Sequence, residues 1–431
     1  LKLSYKDTAQ QNSYVTIPRA ANSYEQTETA ANVDEDIIDS LTGGRLVGSV
    51  TSFENFAECP LRYYLRYGVD LKEREEFTFS PVNFGVVLHA VIREVCDEIK
   101  KNGESYYLIS EEKRREMVKR SVSAITDIYQ NSILKDSSRN SFMIKRMEDL
   151  ADRTIWAMGE QLKCGDFVPF VFEHKFNMEV GDGDRKQLMS GTIDRVDICE
   201  NDTDVYVRII DYKTGKKDFN IVKTYYGIDI QLMVYMEAAM KLVAKMRPGK
   251  NVIPAGVFYY NISDPIVSAT TESAEEIEDK IKGELRLKGM VNSDKDIVEK
   301  MDNTEGTSLN IPVSRKADGG FDSRRSKVMN TEQFNMLGRF VDVRAVDTAD
   351  RIAGGDIRRS PYKDGQFSSC DRCPYGAVCG FSVDLPGCNY RKLKKFDDEV
   401  LWNNIKEGVD ENGKKKEKYY CLDMFPYPSG N

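Results

Sequence analysis

The chain has 431 residues, enough to bury a large core around a cleft, and a net charge of −8. That charge argues against a surface coated in positive potential for indiscriminate nucleic-acid binding, while leaving room for a local basic groove. No apolar run approaches the ~20 residues that cross a bilayer, and the N-terminal segment lacks the basic and apolar regions of an export signal, so a cytoplasmic protein without membrane contact is expected.

Residues 1–48 are polar and carry no strong apolar period, which reads as a leader or the end of a preceding domain; opening on Leu1, the chain reads as a fragment of a longer one. Order is expected from Val50. Thr51 followed by Glu54 is a capping-box pattern, and "FENFAECPLRYYLRYG" predicts a short helix interrupted at Pro60 and stopped at Gly68. A second helix is predicted from Ser80-Pro81 to Gly103, with Phe84, Val87, Leu88, Val91, Ile92, Val95 and Ile99 at helical spacing, and residues 110–163 continue as helix. From residue 168 the period shifts to strands. "FVPFVFEHKFNMEV", "KQLMSGTIDRVDIC" and "DVYVRIIDYK" predict a β-meander, the turn-rich "ENDTD" joining the last two. A helix over 228–246, a buried strand "IPAGVFYYNI" and a helix over 331–353 closed by Gly354-Gly355 follow, with no internal repeats.

Asp194 and Asp211 are equidistant from a point between Asp202 and Thr203, so a hairpin turning there sets them opposite one another on adjacent strands. Paired Cβ atoms of this kind lie about 4.5–5.5 Å apart, and two like charges there destabilise a sheet unless something positive intervenes. Lys213 projects from the same face as Asp211, because side chains alternate along a strand. Two acids and a lysine on one face suit Mg²⁺, with sites left for water and a phosphate, which is the chemistry of a phosphodiesterase. A single acid near a turn is ordinarily just solvated; three residues in this register beside the apolar "VRII" favour a site.

The pattern Gly191-x-x-Asp194, a hairpin, Asp211-x-Lys213, then Gln231-x-x-x-Tyr235 one helical turn apart resembles the PD-(D/E)XK nucleases of the RecB type. The resemblance implies an α/β, restriction-endonuclease-like core: a mixed sheet flanked by helices, with Asp194, Asp211, Lys213, Gln231 and Tyr235 as site residues. "FGVVLHAVI" looks like the helix that presents a histidine to this site, which would make His89 a further metal ligand beside Asp194 and Asp211. On its own, His89 reads as a packed or solvated histidine. Glu173 is a candidate additional ligand or outer acid; His174 has no such support.

Nine cysteines, odd in number and unevenly spaced, favour metal ligation over disulfides. Cys370, Cys373 and Cys379 in "CDRCPYGAVC" suit either zinc or an iron-sulfur cluster. More narrowly, residues 45–395 resemble the nuclease end of AddB-type subunits of AddAB helicase-nucleases, in which one cysteine before and three after the nuclease core hold a [4Fe-4S] cluster. By that resemblance Cys59, followed by proline as Cys373 is, supplies the distant ligand, with Cys388 the second choice. The same resemblance implies a Mg²⁺-dependent DNA exonuclease acting on a single strand from a duplex end, the 5'-ended one, in double-strand break repair, with an AddA-type subunit as heterodimer partner.

The chain holds no phosphate-loop motif, so no ATP hydrolysis is expected of it. Three units are expected: the leader 1–48, the nuclease domain 49–399 and a tail 400–431 whose "KYYCLDMFPYPSGN" resembles the start of a leucyl-tRNA synthetase. Two other readings are a catalytically idle iron-sulfur DNA-binding module and a CRISPR-associated nuclease of related fold. The intact Asp194, Asp211 and Lys213 weigh against the first, and chain length against the second.

Overall fold

In the computed structural model, which describes residues 32–34, 47–72, 81–128, 138–180, 187–268, 272–385 and 388–409, a short strand β1 (Val47–Ser49) turns at once into helix α1 (Val50–Glu58). The cap of α1 is Ser49 and not Thr51: the Ser49 hydroxyl accepts from the Ser52 N–H at 3.1 Å. Glu54, expected to close the capping box, is buried instead. Its carboxylate accepts from the N–H groups of Ile230 (2.9 Å) and Gln231 (3.0 Å), where a helix start inside the protein leaves donors that water cannot reach. Pro60 opens a separate short helix α2 (Pro60–Tyr63), because its ring cannot continue α1, and one π-helical turn runs on to Gly68.

Helix α3 (Pro81–Lys101) buries the predicted stripe, with Leu88, Val91, Val95 and Ile99 at 0% exposure. Each such side chain contributes roughly 1.5–3 kcal/mol on burial, so α3 is firmly seated and fixes His89 at the edge of its buried face. The predicted run 110–163 divides into α4 (Glu111–Ile128) and α5 (Ser138–Lys163), residues 129–137 lying outside the described residues.

The meander forms as predicted. Strands β2 (Val168–Val180), β3 (Gln187–Glu200) and β4 (Asp204–Lys213) pair antiparallel. After α6 (Ile221–Tyr225) and α7 (Gln231–Met246), β5 (Asn251–Asn261) returns parallel to β4, as a helical crossover requires. An extra residue bulges from β5 between Pro254, paired with Val207, and Gly256, paired with Arg208, which accommodates a proline that has no N–H for the ladder. Helix α8 (Ala274–Glu284), strand β6 (Lys288–Asn292), helix α9 (Lys295–Met301), strand β7 (Val328–Met329) and helix α10 (Thr331–Ala353) complete the body. The sheet is mixed and seven-stranded, in the order β1-β3-β4-β5-β6-β7 with β2 also on β3.

Alternation along β4 and β5 feeds two cores. Ile209, Val257 and Tyr259 face α1, α7 and α10, while Ile210, Tyr212, Phe258 and Tyr260 face α3, α4, α5 and α9. Burial on both faces explains why "VYVRII" reads as a nearly continuous apolar run. Beyond α10, Gly355 has φ 72° and a side chain there would meet the Val33 carbonyl at 2.1 Å, so only glycine lets residues 32–34 lie against this turn.

After the short helix α11 (Gly376–Cys379), helix α12 (Asp398–Glu407) packs on α10 through Leu401 and Ile405, 2% and 0% exposed. The boundary expected at residues 399/400 therefore cuts through a packed helix. The synthetase-like stretch from Lys418 lies outside the described residues.

Candidate active site and cysteine pocket

Across β4, β5 and β6 the sheet changes character from one row to the next. Ile209 pairs with Val257 and Val257 with Met290, all core residues; one row further, Asp211 pairs with Tyr259 and Tyr259 with Lys288. The apolar layer ends where the charged one begins.

On the other side of β4, Arg195 pairs with Ile210, the register that sets Asp194 against Asp211 as the next pair. The ladder stops there and the strands part. The Asp194 carboxylate takes the place of a backbone acceptor, receiving the Tyr212 N–H at 2.6 Å. Asp211 is 2% exposed, and Lys213 Nζ lies 2.5 Å from its Oδ2, an oxygen with no further polar partner among the described residues. Burial first, then the charge of Asp194, pushes the Asp211 carboxyl up to about 6 against the pull of Lys213.

Glu173 reaches the same place by an unusual backbone. It sits within β2 at φ 47°, a left-handed conformation that costs a non-glycine residue of order 1–3 kcal/mol and that redirects its side chain. His89 Nδ1 then lies 3.4 Å from Asp194 Oδ1 and 3.7 Å from Glu173 Oε1, and one ligand atom from each of the three lies within 4.8 Å of the others. Burial disfavours the charged imidazole, but bonds to Asp194 and Glu173 outweigh it and raise its pKa to about 10. His174 pairs in the ladder with Ile193 and does not belong to this trio.

Gln231 and Tyr235 share one face of α7, where the amide donates to the phenol at 2.9 Å, and Tyr235 senses the charges of Asp211 and Asp194. Gly191 makes room for this helix: a Cβ there would lie 2.7 Å from the Phe176 ring and 3.0 Å from that of Tyr235. Beside them stands a network that the sequence pattern does not flag. Lys217 Nζ is 3.1 Å from Asp229, whose carboxylate also accepts from the Tyr259 hydroxyl at 2.7 Å, and the Lys217 ammonium lies 4.5 Å from the Tyr259 ring centre. Burial pushes the nearby Glu54 up to about 7, Lys217 opposing and Asp229 reinforcing the change. No motif spacing links these residues; only the fold brings them together.

Cys59, Cys370, Cys373 and Cys379 line one cavity with Leu61, Leu65, Tyr375 and Phe381. Burial raises the Cys59 thiol, while hydrogen bonds from the backbone at Arg62, Ser360 and Leu61 favour the thiolate. Cys370 is pushed up to about 11 by burial and by the other three sulfurs, with Tyr390 opposing. Cys388 is buried but does not line the cavity. Two of its lining residues are bonded to neighbouring segments: the Tyr375 hydroxyl donates to the Leu71 carbonyl at 2.9 Å, and the Leu61 N–H donates to the Arg358 carbonyl at 3.2 Å.

A mixed sheet whose ladder stops between two strands at a buried pair of acids with a lysine beside them is the frame of a nuclease. The sequence pattern of the PD-(D/E)XK nuclease superfamily matches residues 48–380, and the chain belongs to that superfamily. It is similar to the B subunits of the ATP-dependent helicase/deoxyribonucleases of Clostridium acetobutylicum, 34% identical over 394 residues (89% of this chain, 34% of that protein), and of Lachnoclostridium phytofermentans, 34% identical over 390 residues (88% and 33%). The protein of the same name from Caldanaerobacter subterraneus subsp. tengcongensis is 34% identical over 387 residues, 87% of this chain and 33% of that protein. The chain thus spans about a third of the length of the curated relatives it matches. Among the described residues, no helix is long and apolar enough to cross a membrane.

Proposed function

We propose that this chain carries the nuclease site of a helicase-nuclease of the AddAB type, on its AddB-type component: a Mg²⁺-dependent deoxyribonuclease that digests a single strand, the 5'-ended one, drawn from a duplex end during break repair in the cytoplasm. The observation that carries this reading is the cluster of His89, Glu173 and Asp194, one ligand atom of each within 4.8 Å of the others, beside the Asp211–Lys213 pair that comes next in register where the β3–β4 ladder stops. The donor set suits a hard divalent cation: the His89 imidazole and the carboxylates of Glu173 and Asp194, with the Asp211 carboxylate next in register, one of its oxygens buried without a partner other than Lys213. When bound, such a cation supplies Lewis acidity to a phosphoryl oxygen.

The chain's own residues do the rest. Asp194 is held in place by the Tyr212 N–H, and Asp211 by Lys213, so neither acid has to reorganise as charge builds on the phosphate. Lys213, only partly exposed, orients the attacking water and offsets the developing negative charge. Gln231 and Tyr235 lie on the helix face beside the acids, positioned to hold the strand.

The four pocket cysteines fit a [4Fe-4S] cluster, held by Cys59, Cys370, Cys373 and Cys379, which ties the start of the nuclease fold to its end. The motor that feeds the strand is an AddA-type partner. Digestion of linear DNA with Mg²⁺, with and without that partner, tests the reading. Asp211→Ala should lose digestion and keep DNA binding; a variant that digests DNA as well as the parent would overturn the site. Protein purified without oxygen should be brown, and a colourless zinc-loaded preparation would overturn the cluster.

A further inference from the structure

The row that carries Asp211 does not end at β4. Its cross-strand neighbour Tyr259 pairs in turn with Lys288, so Asp211, Tyr259 and Lys288 stand on one face of three successive strands. Neighbouring strands lie about 4.7–4.9 Å apart, which sets Lys288 roughly 10 Å from Asp211 along the sheet. In the next row Lys213 pairs with Asn261, and Arg286 lies just before β6.

Lys288 is not in an ordinary cationic setting. Burial and then the charges of Arg286 and Lys327 make its ammonium harder to hold, with Asp218 and Glu284 opposing. Lys327 already holds Asp218, at 2.5 Å. The Arg286 Nε is buried without a hydrogen-bond partner among the described residues. Lys288 thus stands on the face that holds the acids, with Arg286, which also donates to the Ser308 carbonyl at 3.5 Å, and Lys327 close enough for their charges to act on it, and with Asp218 and Glu284 as the opposing charges.

From this geometry we propose that Lys288 and Arg286, flanked by Lys327, form a phosphate-binding strip that grips the substrate strand beside the scissile phosphate. The inference rests on the nuclease reading and deepens it: the substrate must be a polynucleotide long enough to place one phosphate at the acids and a neighbouring one on β6. Phosphate contacts position a strand without reading its sequence.

Two measurements on the full chain separate the strip from the site. The first is binding of a fluorescent oligothymidylate in EDTA across a salt series. Lys288→Gln and Arg286→Gln should each weaken binding several-fold and lower the salt slope by about 1, while Lys288→Arg keeps the parent values. The second is hydrolysis of thymidine 5'-(p-nitrophenyl phosphate), which has no neighbouring phosphate and should be cleaved equally by parent and variants, with unchanged melting temperatures showing intact folds. Unchanged oligonucleotide affinity and slope would overturn the strip, as would a parallel loss on the small ester. A parent chain that hydrolyses nothing, yet loses affinity on these substitutions, would sink the nuclease reading and support the strip.

Discussion

Asp194, Asp211 and Lys213 come together within one hairpin whose register is set locally, whereas Cys59 meets Cys370, Cys373 and Cys379 only after the sheet and its helices have closed between them. The first arrangement costs stability: it buries like charges at the place where a ladder stops. The second adds stability once the proposed cluster is bound across it, since a tie between distant parts of a chain restricts the unfolded state most. Site and staple therefore respond to substitution in opposite directions.

The largest divergence is expected from Asp211→Asn against Cys59→Ser. The amide removes the buried charge and should cut Mg²⁺-dependent DNA digestion on the order of 10³-fold, a loss of the size seen when transition-state charge stabilisation is removed. In metal-free buffer the same variant should melt at a higher temperature than the parent. A carboxyl moved from 3.8 to about 6 loses at most about 3 kcal/mol of stability once ionised. Cys59→Ser should do the reverse, lowering the melting temperature by an amount worth up to on the order of 5 kcal/mol, with activity failing as the fold loosens. Equal melting of the serine variant and the parent, each loaded with cluster, would remove Cys59 from the staple.

A smaller effect tests how closely helix and sheet must approach at the site. Gly191→Ala drives a methyl group against the rings of Phe176 and Tyr235, and overpacking of this kind costs about 1–3 kcal/mol. If α7 moves to relieve it, the Gln231–Tyr235 pair moves away from the acids, so digestion should fall more than stability does. An alanine variant with parental activity would show that the pair need not sit so near.

The hairpin register is legible in the sequence because counting residues from the turn fixes which pairs oppose, and the α3 stripe because apolar residues recur at helical spacing. Counting does not show that the ladder stops after Arg195–Ile210, since strand separation depends on what fills the gap; here the Asp194 carboxylate fills it. Glu173 gives only a weak signal because its place depends on a left-handed backbone that packing imposes. Glu54 misleads: its spacing from Thr51 matches a local cap, while the donors it serves lie across the fold at Ile230 and Gln231. Asp229 and Lys217 form no pattern at all: one comes from the loop before α7, the other from the segment between β4 and α6, and they meet beside Tyr259 of β5.

The pH dependence of metal-free stability sharpens the same contrast. Asp211 and Glu54 keep their protons in the folded chain up to about 6 and about 7, whereas unfolded carboxyls lose them near 3.8 and 4.5. Between those limits the folded state binds more protons than the unfolded one, so stability must fall as pH rises from about 4 to 7. Asp197, held below the usual range by burial outweighed by Arg195 and Arg208, acts oppositely, but only at pH below 3.8. His89 adds to the decline at higher pH: its bonds to Asp194 and Glu173 stabilise fully below 6.5, and that contribution is lost as pH approaches 10. A divalent cation competes for the same groups and binds only when they are deprotonated, so Mg²⁺ should raise the melting temperature more at pH 8 than at pH 5. Thermal melts of the parent and of an Asp211→Asn, Glu54→Gln double variant, with and without Mg²⁺, measure this. The double variant should lose most of the slope between pH 4 and 7 and most of the Mg²⁺ effect, and an unchanged slope would mean that neither carboxyl carries a raised pKa.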